Sequence, residues 1–503
     1  MRERSSGILL PLCSLPSSSG IGDLGPTAYR FVDFLSDAGQ SVWQVLPVTP
    51  ASPAYDYSPY HGTSAFALDP LLASPELLAA DGLLDDPHPH PDTDFPEERI
   101  EYPAVARFKQ ALLDEACHRF RRRTPDHDYI RFRAENTSWL EDYARYTALA
   151  ASHSPRPWDR WPPDLRDRTP VAIRRLELEM RDAIEDIKIV QYLLHRQWDR
   201  LRTCAVAKSI RLIGDLPIYV PHACTDVWAH PELFQLDESG RPSAVSGVPP
   251  DYFSATGQRW GHPVYRWEAH RKTRFDWWRR RLARHFCLFD TVRIDHFRGL
   301  VGYWAIPAGQ ATAVNGRWLE APAAEFFAEL RRCFPCLPII AEDLGTITAD
   351  VREVIQRLGI PGMRVLQFGF SGDPAVNPNA PHLIDEDAVV YTGTHDNAPS
   401  RGWIDELATA AERECYDRYL GHALSGEGAA WEMIRLALMS RAHLSILPAQ
   451  DLLGLGTAAR INTPGRMEGN WRWRMTPIQF SALPDRRLRV MTESYGRSHH
   501  RLH

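Results

Sequence analysis

Eight short apolar runs, most of them separated by helical patterns, predict an α/β protein built as a (β/α)8 TIM barrel. Two further observations point the same way. Strand, helix and strand follow one another between Gly7 and Val48, which is a βαβ unit and argues for a parallel sheet. Several of the apolar runs end on an acid, and in this fold functional groups sit where strands end. The barrel is expected to carry large insertions between its strands and no C-terminal β-sandwich domain.

The first strand is Gly7-Ile-Leu-Leu10, followed by a turn-rich loop over Ser18 to Gly25. Pro26 starts a helix with Ala28, Phe31, Val32 and Leu35 on one face, and Gly39 stops it. Val42 to Val48 is the second strand. The rhythm then breaks: residues 50–200 read as a mainly helical insertion with Pro-rich interruptions. Within it, His88, His90, Asp92 and Asp94 stand among prolines, a pattern that suits a solvated loop better than a metal site.

The rhythm resumes after a helix from Ile187 to Ala207. The third strand is Ile210 to Val220, with Asp215 near its end, and residues 221–270 form a second, loop-rich insertion. The fourth strand leads through Thr291-Val-Arg-Ile-Asp-His-Phe-Arg-Gly299. A helix from Ala321 to Arg332 precedes the fifth, Leu337 to Gly345. The sixth is Met363 to Phe370, the seventh Ala388 to Asp396, and the eighth Leu444 to Pro448. From about Arg486 the chain reads as a basic, flexible tail. The whole of residues 1–503 is therefore expected to be one catalytic barrel with two insertion subdomains.

The composition, 44% hydrophobic and 24% charged with a net charge of −6, is that of a soluble globular protein and gives no hint of a nucleic-acid partner. No stretch reaches the roughly 18 consecutive apolar residues of a membrane span, and the N-terminus lacks the apolar core of a signal peptide. Eight scattered cysteines suit reduced thiols and a cytoplasmic location. Cys333-Phe-Pro-Cys336 is a lone C-x-x-C without a second pair, and there is no Gly-rich phosphate loop or zinc-type spacing. No cofactor and no metal are expected; as an assembly, the chain is expected to be a monomer or homodimer.

The chemistry lies in the acids at the strand ends. Arg293 and Asp295 are two residues apart on a strand, so both side chains point to one face. An isolated pair of this kind is usually a structural ion pair. Here Glu342, Asp343, Asp396 and Asp215 end other strands of the same barrel, and mutually repelling carboxylates on one rim are tolerated where acid–base chemistry uses them. Two carboxylates about 5–5.5 Å apart are what a retaining glycosidase needs. Asp295, with Arg293 keeping it ionised, suits the nucleophile. Glu342, longer and approached through Ile339-Ile-Ala341, suits the acid/base. Asp396, beside His395, suits a grip on sugar hydroxyls.

With these stretches in place, the chain resembles the amylomaltase, or disproportionating-enzyme, family of 4-α-glucanotransferases in the α-amylase clan. The resemblance runs from Leu15-Pro-Ser-Ser-Ser-Gly-Ile-Gly-Asp-Leu-Gly25, Trp43-Gln-Val-Leu-Pro47 and Ser58-Pro-Tyr60 to Gly214-Asp-Leu-Pro-Ile-Tyr-Val220 and Asp226-Val-Trp228. It continues through Val248 to Gln258, Arg293 to Gly299, Ala341-Glu-Asp-Leu-Gly345, Thr394-His-Asp-Asn397 and Gly469-Asn-Trp-Arg-Trp-Arg474. It implies a retaining transfer of a glucanosyl unit between α-1,4-glucans and maltooligosaccharides. Asp295 would be the nucleophile, Glu342 the acid/base and Asp396 the transition-state stabiliser. It further implies sugar contacts at Ser58, Tyr60, Asp215, Phe253, Gln258, Trp260, Arg293, Asp343, Phe368, His395 and Asn462, and a lid-like segment at Val248 to Gln258 that shields the intermediate from water.

Departures from the family pattern are Ala398 after His-Asp-Asn, His262 for a common Asn, Arg259 for a common Leu, Ala458 for an acid, and Pro221-His-Ala-Cys224 after the third strand. They bear on acceptor preference and product size. An α-1,4-glucan hydrolase on the same site and a non-catalytic glucan-binding protein are the competing expectations; the presence of all three carboxylates weighs against the second.

Overall fold

The computed structural model describes residues 4–85, 94–123, 126–250 and 254–498. Its strands are β1 (Ser5–Leu9), β2 (Val42–Gln44), β3 (Arg211–Leu216), β4 (Ala244–Val248), β5 (Gln258–Pro263), β6 (Thr291–Ile294), β7 (Gly302–Pro307), β8 (Arg317–Glu320), β9 (Ile339–Ala341), β10 (Gly362–Val365), β11 (Ala388–Tyr391) and β12 (Leu444–Pro448). Eight of them, β1, β2, β3, β6, β9, β10, β11 and β12, close into a parallel barrel in sequence order. The expected (β/α)8 barrel is therefore present, and after β12 the described residues form helices and loops with no β-sandwich.

Alternate residues of each barrel strand point inward. Leu9, Val42, Ile213, Ile340, Met363, Val365, Val389, Tyr391, Leu444 and Ile446 fill the interior as one apolar cluster. One step further along, the inward positions turn polar. Gln44 accepts from Tyr391 Oη at 2.8 Å. Asp215 and Arg293 stand opposite each other as register partners on β3 and β6. The barrel is thus a dry plug below and an ionic layer above, and that layer is the floor of the site.

Between β2 and β3 the chain forms helices, the longest being His127–His153 and Arg181–Ala207. Lys109 ties this region to the barrel: 1% exposed, it donates to Asp23 Oδ2 at 2.7 Å in the loop after β1. His88, His90 and Asp92 lie outside the described residues.

One expectation is extended and another corrected. The segment 221–270, read as loop-rich, also carries β4 and β5, which join β7 and β8 in an antiparallel sheet of order β5-β4-β7-β8. Its strands escape a sequence reading because β5, Gln-Arg-Trp-Gly-His-Pro, holds Gly and Pro, and because its partners lie beyond β6 in the chain. The supposed flexible tail holds a helix, Asp485–Ser494, with Leu488 fully buried, and then Arg497, also fully buried.

Candidate active site

The site is assembled where β3, β6, β9 and β11 end. Beyond β6 and β9 the ladder continues for a residue: Asp295 N–H donates to Leu216 O at 3.0 Å, and Glu342 N–H to Ile294 O at 3.1 Å. These bonds fix both acids at the rim before any side chain is considered. His296 then turns the chain with a φ of 49°, in the left-handed region, and its N–H donates to Glu342 Oε2 at 2.7 Å. Leu344 N–H donates to Glu342 Oε1 at 2.8 Å. Both oxygens of Glu342 are therefore aimed by backbone.

Arg293 is the cation of the site, 3% exposed. Its Nη1 donates to both oxygens of Asp215, at 2.8 and 2.7 Å, and its Nη2 to Asp295 Oδ1 at 3.0 Å. The sequence pairs Arg293 with Asp295 alone; in the structure the closer partner is Asp215, and Asp295 receives the remaining nitrogen. Tyr60 Oη adds a second donor to Asp215 Oδ2 at 2.7 Å. Burial works against the Arg293 charge, but Asp215 and Asp295 more than offset it and keep the guanidinium ionised.

This sharing shapes the proton inventory. Burial, and then the negative charges of Asp215, Glu342 and Asp396, push the Asp295 carboxyl up to about 8 against the pull of Arg293. Glu342 is raised as well, first by burial and partly by Asp343, against Arg293 and its two backbone donors. Two interacting carboxyls of this kind hold a proton between them well above the usual carboxylate range.

Asp396 belongs to the loop after β11. Asn462 Nδ2 donates to its Oδ1 at 2.6 Å, His395 Nε2 lies 3.4 Å from the same oxygen, and Arg460 caps its backbone carbonyl. Burial keeps His395 neutral. Its ring stacks on Tyr60 at 5.2 Å, and Trp471 leans on both rings at 5.9 and 5.6 Å. On the other side Trp260 meets His296 edge-on at 4.6 Å and donates to Gln258 Oε1 at 3.2 Å. Ser58 Oγ is within 3.1 Å of His61 Nδ1.

Asp215, Tyr60, Arg293, Asp295, Glu342, His395, Asp396 and Asn462 are thus linked through one another, with Gln258 and Trp260 joining through His296. Asp343 is not among them. Its carboxylate accepts from Met363 N–H at 2.6 Å and Arg364 Nη1 at 3.2 Å, so it braces β9 against β10. Gly362 is required there, because a Cβ would fall 2.5 Å from Asp343 Oδ2. Phe368 sits on a single-turn helix (Leu366–Phe370) and is 36% exposed. Phe253 lies outside the described residues. Trp471 and His296 went unassigned in the sequence, although both stand in stretches quoted for the resemblance; Trp471 has a φ of 63°.

The sequence matches the 4-alpha-glucanotransferase family over residues 10–480. The chain belongs to that family. Its similarity to a 4-alpha-glucanotransferase of Thermus thermophilus is 43% identity over 98% of this chain and 99% of that one. A chloroplastic/amyloplastic 4-alpha-glucanotransferase of Solanum tuberosum is 41% identical over 98% of this chain and 87% of its own length. Among solved structures, the amylomaltase of Streptococcus agalactiae in complex with acarbose superposes with a TM-score of 0.94 at 33% identity, covering 99% of this chain and 100% of that one. The chain is thus an enzyme of the 4-alpha-glucanotransferase family on an amylomaltase fold. No helix among its described residues is long and apolar enough to cross a membrane.

Proposed function

We propose that Asp295 attacks the anomeric carbon of an α-1,4-glucan while Glu342 protonates the departing 4-oxygen, giving a covalent glucanosyl ester on Asp295. Glu342 then takes the proton from the 4-hydroxyl of an acceptor glucan or glucose as that oxygen displaces Asp295, which restores the α-1,4 bond and both carboxyls. The observation that carries this reading is the direct tie between the two carboxyls' loops: His296, the residue after Asp295, donates to Glu342.

The division of labour needs the pair's proton on Glu342, although burial raises Asp295 as well. Only Asp295 of this pair touches Arg293, and positive charge building on the sugar adds to that pull, so the proton moves to Glu342 as Asp295 attacks. Esterification removes the Asp295 charge. The two backbone donors of Glu342 then favour the carboxylate that serves as base. Asp396, anchored by Asn462, holds sugar hydroxyls and strengthens that hold as positive charge builds on the ring. Tyr60, His395 and Trp471 supply an aromatic wall against which a pyranose face packs. We place the enzyme in the cytoplasm, in keeping with its eight free thiols.

Incubation with maltotriose tests the reading. Transfer yields glucose and a ladder of longer oligomers with little rise in reducing ends. A steady rise in reducing ends would identify a hydrolase instead.

A further inference from the structure

The antiparallel sheet holds a contact that its strand pairing does not require. β7 and β8 are joined by residues 308–316, which do not simply turn: they fold back across the sheet. Ala313 is fully buried, although residues 311, 312, 314 and 315 around it are exposed. Its methyl group packs with Val245 and Ile306. Its N–H donates to Thr256 O at 3.1 Å, and its carbonyl accepts from Trp304 Nε1 at 2.9 Å.

Thr256 belongs to the turn that joins β4 to β5, whose ends pair as Val248 with Gln258. Gly257 is left-handed, and a Cβ on it would meet Val248 O at 2.4 Å and Ala313 Cβ at 2.8 Å. The connection between β7 and β8 is therefore seated against the residue immediately before Gln258. From there the contacts run through Trp260 to His296, and from the His296 N–H to Glu342.

We propose that Trp304 and Ala313 form a brace that positions Gln258 and Trp260 over the acid/base, and so sets how the glucanosyl-enzyme divides between a sugar acceptor and water. This rests on the transfer reading above. Neither residue touches the carboxylates, so both are positioning residues. The physical reason is plain: a hairpin turn held by its own pairing alone frays readily, whereas one pinned by a buried third segment keeps Trp260 against His296 through each turnover.

Trp304→Phe tests the brace, because it keeps an aromatic ring on β7 while removing the Nε1–H together with the outer part of the indole. With maltotriose, the share of turnovers that release a new reducing end should rise on the order of 5-fold, as expected from losing one hydrogen bond. The acceptor KM for glucose should rise as well, with donor cleavage changed less than about 2-fold. A variant whose partition matches the wild type overturns the proposal, and so does one in which cleavage and transfer fall together. Hydrogen exchange on the unmodified enzyme provides a check independent of any variant's folding: the Ala313 amide should exchange at least about 100-fold more slowly than those of Thr312 and Val314. Equal rates would overturn the brace. If the wild type itself proves hydrolytic, the transfer reading fails, and the amide exchange still decides whether the brace exists.

Discussion

His296 donates its backbone N–H to Glu342 Oε2 at 2.7 Å from a left-handed conformation. The residue following the proposed nucleophile thereby fixes the proposed acid/base. Substitutions at one carboxylate will be felt at the other, and the two are best treated as a single titrating unit.

Asp295→Asn removes the proposed nucleophile while keeping a side chain of the same shape. Transfer from maltotriose should fall by at least about 10⁴-fold. The same variant makes a stability prediction whose sign follows from proton linkage. Burial pushes the folded Asp295 carboxyl, within the unit it forms with Glu342, up to about 8, above the 3.8 of an unperturbed aspartate. The native state therefore binds more protons than the unfolded state between those values, and wild-type stability falls as pH rises through that window. The amide that replaces the carboxyl carries no such proton. The variant should gain thermal midpoint over wild type at pH 8 and lose that advantage at pH 4, read by calorimetry at both pH values.

Asp215→Asn separates the roles of Arg293. It deletes a negative neighbour that raises Asp295, and it frees the Arg293 nitrogen now held by Asp215. Both effects lower the pKa of the Asp295 and Glu342 carboxyls. The alkaline limb of the kcat/KM profile should move toward acid by about one pH unit. Because Asp215 is also a proposed sugar contact, the quantity to read is the position of the limb. A limb that stays put, or moves to higher pH, would show that Arg293 is not shared in this way.

How far the sequence reaches depends on the kind of contact involved. The eight barrel strands were legible because each is buried on both faces and so reads as an apolar run. The acids were legible because an acid that closes such a run needs a reason to be there. What failed was orientation and partnership. Glu342 and Asp343 are neighbours in the chain, yet one faces the site and the other braces β10 through Met363 and Arg364. The apolar run predicts a strand over Leu337 to Gly345, whereas β9 holds only Ile339–Ala341. β8, Arg-Trp-Leu-Glu, is mostly exposed and has no apolar signature. The contact of Ala313 with Thr256 joins segments far apart in the chain, which no local pattern announces.

Asp451 is a buried acid the sequence did not single out. It is fully buried, accepts from the Ser400 N–H at 2.6 Å, the Ser400 hydroxyl at 2.7 Å and the Thr392 hydroxyl, and pairs with no cation among the described residues. Burial raises its pKa against these donors. It ties the end of β11 to the segment after Asn397 and so holds the loop that carries Asp396. Asp451→Ala leaves those donors without a partner and should cost about 3 kcal/mol. Asp451→Asn keeps an oxygen for the Ser400 amide and should cost about 1 kcal/mol. Denaturant unfolding of the two variants ranks them; equal losses would mean that volume, not hydrogen bonding, is what Asp451 supplies.

Arg497 is the anchor that turns the expected loose end into structure. Fully buried, it donates to Leu438 O at 2.6 Å, Ser5 O at 2.9 Å and Ser440 O at 3.0 Å. Leu438 and Ser440 lie at the C-terminal end of the helix Gly426–Met439, where carbonyls lack intrahelical partners and the dipole favours a cation. Ser5 opens β1, so one guanidinium closes the last helix before β12 onto the first barrel strand. Burial pulls its pKa down to about 9, still above neutrality, so the group enters the fold charged at pH 7. Arg497→Ala removes a donor from three carbonyls, of which Leu438 O keeps Arg4 Nη2, and should destabilise by roughly 2–4 kcal/mol. Arg497→Lys should recover less than half of that, since a single ammonium cannot reach carbonyls fanned out around a planar fork. Thermal unfolding of both variants checks the order, and a chain truncated before Gly496 should behave like Arg497→Ala.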